Sequence, residues 1–444
     1  MRGLKKKRVL LSFIVLIPFL ISGQNVHQLP LPGVNDSLTI QQILQQVTTT
    51  YPTVLKAQEA INSADAAIGL AKSGYYPNIS GQAGYTRLGP ASKLSIPMLG
   101  SFELYPQNNY NFEVDVREAV YDFSKTSRKV KMEESQKSIS EKAVELVRQK
   151  LNLVTVSCYY TLVYLQEALK INEVQLQNLN DHLAFVTKKK ETGSAIQYEI
   201  LATQVRISTA ENQKVDIQTG IMTQQAILNS LLGFPVSTPL KVRNVLTSGS
   251  SDFDTESMVR FALQNRYEMI VAGLQEDHAA LNLRLVKVQN NPVLDAFVNG
   301  SIKNGFFPNI NALTPNYVAG IGLQVPIFDA TRRKNNIRLA NAQINVVKQE
   351  TEQTKRDISS EVYQNEALVT FSLQKIKQSD MQVKQSEEAL ELARVSYATG
   401  AITNLDLLDA ETVAAESKVN LLKAQTDYAV SVARLNISLG KPVY

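Results

Sequence analysis

The sequence predicts an α+β membrane protein made of two tandem copies of one unit, each supplying very long helices and two short strands. Three observations predict it. The chain repeats itself at an offset of 207 or 215 residues, its helical runs are nearly free of glycine and proline, and four segments alternate apolar with polar residues over the length of a tilted membrane strand.

The N-terminus stands apart from the fold. Arg2, Lys5, Lys6, Lys7 and Arg8 precede "VLLSFIVLIPFLIS", the layout of a secretory signal peptide over residues 1–24. The apolar run is too short and too interrupted by proline for a membrane helix. Residues 25–36 read as a short N-terminal segment. Without those five bases, Lys and Arg equal the 41 acids, so no basic surface is left to suit a nucleic-acid partner. Cys158 is the single cysteine; it excludes an internal disulfide and reads as a small buried hydrophobe on a helix. His27, His182 and His278 lack metal-ligand spacing, and no phosphate loop or nucleophile motif occurs, so neither an enzyme nor a cofactor is expected.

The repeat organises the rest. "VYDFSKTSRKV" (120–130) aligns with "IFDATRRKNNI" (327–337), and "LNSLLGFP" (228–235) with "LNISLGKP" (435–442), both at an offset of 207. Upstream, Pro77 pairs with Pro292 at 215, so the length difference falls in a loop, 87–109, whose partner is shorter. Repeat 1 spans 37–235 and repeat 2 spans 255–442, with a linker at 236–254. Each begins with a helical pattern of roughly 40 residues (37–75; 255–290). Two strands follow, then a helical run (122–191; 329–399), a Thr-Gly turn and a second helix (195–232; 402–439). At 1.5 Å per residue the longer runs extend about 105 Å, so they must pack side by side. Leu405, Leu408, Thr412, Ala415, Val419, Leu422, Thr426, Ala429 and Ala433 form a three–four seam of coiled-coil type.

The strands fall at about 78–87, 110–120, 294–303 and 317–327. In 110–120, Tyr110, Phe112, Val114, Val116 and Val120 alternate with Asn111, Glu113, Asp115 and Arg117. Four strands cannot close a membrane barrel, and lipid does not tolerate an open sheet edge. Copies must therefore share a barrel: two chains give eight strands, three give twelve. A periplasmic coiled coil or adaptor without a pore accounts for the helices but has no need of these strands.

With "SYATGAITNLDLLDA", "PIFDATRR", "LNISLGKP" and their first-half counterparts in place, the chain resembles the outer membrane efflux proteins, the TolC-like family. The resemblance implies a homotrimer with a 12-stranded barrel, four strands per chain, continuous with a long periplasmic α-helical barrel. It implies a location in the outer membrane, in contact with its lipid, with most of the chain in the periplasm. The partners implied are a periplasmic adaptor and an inner-membrane transporter, and the function is passive export of small molecules or drugs. Protein secretion is the alternative within the class. Carried over by position, Asp406 and Asp409 match acids ringing the periplasmic aperture and Tyr397 an aromatic at the same constriction. Glu199, the repeat partner of Asp406, is a further carboxylate for the ring. The tips Thr192, Gly193, Ser194 and Thr399, Gly400, Ala401 are expected to meet the adaptor. Ile402 stands where the family often has an arginine that latches the entrance. Lys188, Lys189 and Lys190 read as a solvated patch.

Overall fold

A computed structural model describes residues 37–90, 93–98, 100–244 and 254–443 of the protein. The expected signal peptide, the 25–36 segment and part of the linker, 245–253, lie outside the described residues. Repeat 1 contains β1 (Ser37–Leu38), α1 (Ile40–Thr50), α2 (Pro52–Lys72), β2 (Asn78–Arg87), β3 (Lys93–Ile96), β4 (Gly100–Glu103), β5 (Asn108–Tyr121), α3 (Lys125–Glu191) and α4 (Gln197–Leu232). After β6 (Lys241–Val242), repeat 2 contains α5 (Thr255–Asn265), α6 (Tyr267–Val288), β7 (Val293–Lys303), β8 (Thr314–Gln324), α7 (Arg332–Thr399) and α8 (Asn404–Ser438).

Each expected 40-residue helix is in fact two. In repeat 1, Pro52 drives Tyr51 out of helical conformation, to φ −69° and ψ 133°, and starts α2 at its first position. In repeat 2 no proline marks the break, yet Arg266 adopts the same conformation, φ −68° and ψ 137°. Its side chain, 6% exposed, reaches Glu268 at 2.8 Å and Glu361 of α7 at 2.5 Å, which pins the corner to the long helix. The segment ahead of α1 forms a strand rather than helix: β1 pairs in parallel with β6, in the described part of the linker.

The main sheet has the order β2-β5-β7-β8, antiparallel throughout, with β2 and β8 as free edges. Register places Ile79 opposite Val116, Phe112 opposite Ile302, and Val298 opposite Ala319, so the apolar residues share one face. That face is bare in the single chain: Tyr317, Ile321 and Leu323 are 81%, 76% and 63% exposed. The other face is knitted by polar pairs, Arg117 with Asp115 at 2.9 Å, Ser301 with Asn316 at 2.8 Å, and Asn299 with Glu113.

Three strand expectations are corrected. β5 begins earlier, and its alternation ends at a bulge between Ala119 and Tyr121, so Val120 is not part of the apolar row. β8 lies three residues upstream of the expected 317–327, since Pro326 has no N–H for a ladder. The loop 87–109 holds a small hairpin, β3 with β4.

Strand passes to helix in the same way in both halves. Phe123 and Ser124, then Ala330 and Thr331, take left-handed conformations with φ between 50° and 68°. Asp122 accepts from the Thr126 amide at 2.6 Å, and Asp329 from the Arg333 amide at 2.9 Å, each satisfying an orphan donor of the first helical turn.

The helices pair as two long hairpins, α3 with α4 and α7 with α8. α3 has 67 residues and α7 has 68, about 100 Å each. Among the described residues no helix is long and apolar enough to cross a membrane. The largest core lies midway, where Tyr159, Leu162 and Val163 of α3 pack with Ile43 and Val47 of α1, Leu228 of α4 and Ala433 of α8. Cys158 packs against its edge, half-buried, and burial pushes its thiol up.

α8 is buried on two sides rather than along one seam. Leu408 joins Leu179 and Ile207 of the first hairpin, while Tyr428 and Leu435 join Ile358 and Val362 of α7. Leu405, expected in the seam, is exposed.

Candidate gate at the hairpin tips

The tips are built by short-range rules. α3 is capped by Thr192, and Gly193 at φ +73° reverses the chain, with Ser194 N–H donating to Lys189 O at 2.8 Å. α7 ends identically: Gly400 lies at φ +80°, and Ala401 N–H donates to Ser396 O at 2.8 Å. This left-handed closure satisfies the last carbonyls of a helix, and glycine takes it without a Cβ penalty.

α8 starts with a capping box. Thr403 Oγ1 accepts from the Asp406 amide at 3.2 Å, while Asp406 Oδ2 accepts from the Thr403 amide at 2.9 Å and its hydroxyl at 2.7 Å. Those bonds to Thr403 hold the Asp406 carboxyl below its ordinary range. Asp409, one turn on, accepts from Arg206 Nη2 of α4 at 2.5 Å, with both side chains substantially exposed. The two acids thus have different surroundings within one chain, one engaged in a cap and one in an ion pair.

Tyr397 and Glu199 come together across the hairpins. The Tyr397 hydroxyl donates to Glu199 Oε2 at 2.8 Å, and Tyr397 is buried. Burial first, and then the neighbouring carboxylate, push the phenol well above its ordinary range. Lys189 Nζ lies 4.4 Å from the Tyr397 ring centroid and 5.1 Å from that of Phe185, so the middle residue of the lysine run is a ring contact rather than a solvated charge. Glu199, expected as a further carboxylate for the ring, accepts from Tyr397 through one of its two oxygens.

Four further residues were not singled out from the sequence. His182 Nε2 bonds Asn404 Oδ1 at 2.6 Å, both buried, and Asn404 Nδ2 donates to the Glu199 carbonyl at 3.3 Å. Glu411 is 7% exposed; one oxygen lies 3.6 Å from Arg394, the other has no partner, and burial pushes the carboxyl up. The available signal was spacing: Asn172, Leu179, His182 and Val186 recur at three to seven residues on α3, as do Asn404, Leu407, Glu411 and Ala414 on α8. A polar residue in such a row is a specificity feature of helix packing. Among the described residues no cluster of side chains fits a metal ion.

A bare apolar sheet joined to two helix hairpins with tightly turned tips defines a class, an outer membrane channel fold. The comparisons make it particular. The family model of the outer membrane efflux proteins matches residues 43–234 and 258–441, and the chain belongs to that family. It is 20% identical to the outer membrane protein TolC of Vibrio cholerae, over 90% of each chain. It is 22% identical to the alkaline protease secretion protein AprF of Pseudomonas aeruginosa, over 75% of this chain and 70% of that one. The crystal structure of the outer membrane protein VceC from Vibrio cholerae superposes with a TM-score of 0.75 at 17% identity, covering 91% of this chain and 97% of that one. The protein is TolC-like and belongs in the outer membrane.

Proposed function

We propose that the protein is the outer membrane duct of a tripartite export system, passively conducting small molecules received from an inner-membrane pump through a periplasmic adaptor. The observation that carries this is the sheet: four strands with an uncovered apolar face and two free edges. Such a sheet is stable in lipid only if each edge meets another strand. Three copies pairing β8 with the next chain's β2 close twelve strands. α4 supports the same assembly, because Tyr198, Leu201 and Val205 form an exposed apolar row at coiled-coil spacing.

In this duct the hairpin tips form the periplasmic entrance. Tyr397 and Glu199 hold one hairpin to the other, and Asp406 and Asp409 bring negative charge to the threefold axis, where it favours cations. The tips at Thr192, Gly193, Ser194 and Thr399, Gly400, Ala401 are the surface for the adaptor. A protein-secretion role is the second reading, favoured by the likeness to AprF.

The test is to extract the mature chain from outer membranes in detergent, resolve it with and without heating, and record it in planar bilayers. Heat-modifiable trimers with discrete conductance are expected; a detergent-free soluble monomer ends the proposal. Deleting the gene separates the two readings: raised drug sensitivity marks efflux, loss of a secreted protein marks secretion.

A further inference from the structure

Four contacts around the proposed gate cross from one hairpin to the other, and together they close on themselves. His182 on α3 bonds Asn404 on α8 at 2.6 Å; Asn404 donates to the Glu199 carbonyl on α4 at 3.3 Å. The Glu199 carboxylate accepts from Tyr397 on α7 at 2.8 Å, and the Tyr397 ring meets the His182 ring edge-on, centroids 5.3 Å apart. One residue from each of the four helices is therefore joined in a circuit of three hydrogen bonds and one ring contact. Ile402 adds only apolar contact beside it, with Val186, Tyr397 and Leu407.

We propose that His182 and Asn404 are the positioning residues that keep this entrance closed, acting through Glu199 and Tyr397. The inference rests on the reading of Tyr397 and Glu199 as a gate and assigns the groups that control it. Asn404 is placed for the task. Its carbonyl oxygen holds the α3 imidazole, and its amide nitrogen fixes the backbone of the residue that receives the Tyr397 hydroxyl.

Burial gives the pair its strength. His182 and Asn404 are 8% and 6% exposed, so water cannot replace a lost partner while the hairpins stay together. The Arg206–Asp409 pair also crosses between the hairpins, but its side chains are 35% and 57% exposed, and solvent and salt weaken it. An entrance that opens by moving α7 and α8 away from α3 and α4 has to break the circuit first. Once separated, His182, Asn404 and Glu199 meet water, which offsets part of the loss. A closure of this kind resists small displacements and yields to a large one.

The experiment uses the full mature chain, reconstituted in planar bilayers. Asn404→Leu and His182→Leu are expected to raise conductance through the entrance about tenfold, the scale set by one buried hydrogen bond. His182→Gln, whose amide N–H replaces the imidazole donor, is expected to stay within about twofold of the parent. Adding Tyr397→Phe to Asn404→Leu is expected to give little further increase, as for members of one unit. Parental conductance in Asn404→Leu, or a His182→Gln protein as leaky as His182→Leu, overturns the proposal. Should His182→Leu fail to form trimers, Asn404→Leu and His182→Gln decide the matter, with melting temperature measured on each. A parent that forms no channel overturns the duct reading itself. A Tyr397→Phe protein with unchanged conductance overturns the gate reading. Opening by Tyr397→Phe without opening by Asn404→Leu overturns only the positioning role.

Discussion

The Tyr397 hydroxyl donates to the Glu199 carboxylate across 2.8 Å, although the two residues are 198 positions apart and sit on different hairpins. Tyr397→Phe keeps the ring against His182 and under Lys189 while deleting this one bond. A hydrogen bond to a charged group is worth about 1.5–3 kcal/mol, and a half-buried acceptor puts this one toward the lower figure. The expected outcome is higher conductance through reconstituted trimers. Combining it with Glu199→Gln in a double-mutant cycle is expected to show coupling of about 1–2 kcal/mol.

Arg206 bears on ion preference because it masks Asp409 at 2.5 Å. Arg206→Ala is expected to shift the reversal potential toward stronger cation preference, and Asp406→Ala with Asp409→Ala to reduce that preference. The pair is exposed, so it contributes about 0–1 kcal/mol to stability and its removal changes melting little. Unchanged selectivity in the double alanine protein counts against an acidic entrance.

The tips separate backbone strain from docking. No atom lies within 4 Å of a Cβ built on Gly400, so only its φ of +80° resists substitution. Gly400→Val is expected to lose export while trimers still form, since a β-branched residue there strains the turn. Gly400→Asn fits the left-handed turn. Export retained by Gly400→Asn but lost on bulky replacement of Ala401 marks the tip as a contact surface. Normal export from every variant removes the docking role.

Glu411 and Asp406 respond to pH with opposite signs. Burial raises Glu411, so its contribution to stability is full below the ordinary carboxylate range and is lost as pH rises through its raised value. Asp406 is lowered by its bonds to Thr403, so its contribution is present above that range and is lost as pH falls through the lowered value. Glu411→Gln is therefore expected to melt higher than the parent at neutral pH, by about 1–3 kcal/mol in stability, with the gap closing toward acid. Thermal melts across pH check this; a constant gap contradicts it.

The sequence made the repeat, the long helices and the glycine turns legible because each is written in local chemistry. Pro52 marks the break between α1 and α2, whereas the matching break at Arg266 is held by Glu361, 95 positions away. The offset of 215 pairs Tyr51 with Arg266 and would have revealed it. The site divides in the same way. Asp406, Asp409 and the tips follow from position in the motif. His182, Asn404 and Arg206 have their roles only through partners about 200 residues distant, and no local pattern names those partners. Glu199 and Tyr397 stand out singly in the sequence, but the bond between them does not.

The matching elbows between strand and helix carry a last consequence. Asp122 and Asp329 each accept from an amide in the first turn of the helix that follows, a clasp spanning five residues of chain, and Asp329 also accepts from Asn290 Nδ2 at 2.5 Å. The passage from strand to helix is thereby held by contacts within the single chain. In the proposed duct, six such bends fix the calibre at that level, and the distant entrance can widen or narrow without disturbing the bore above it.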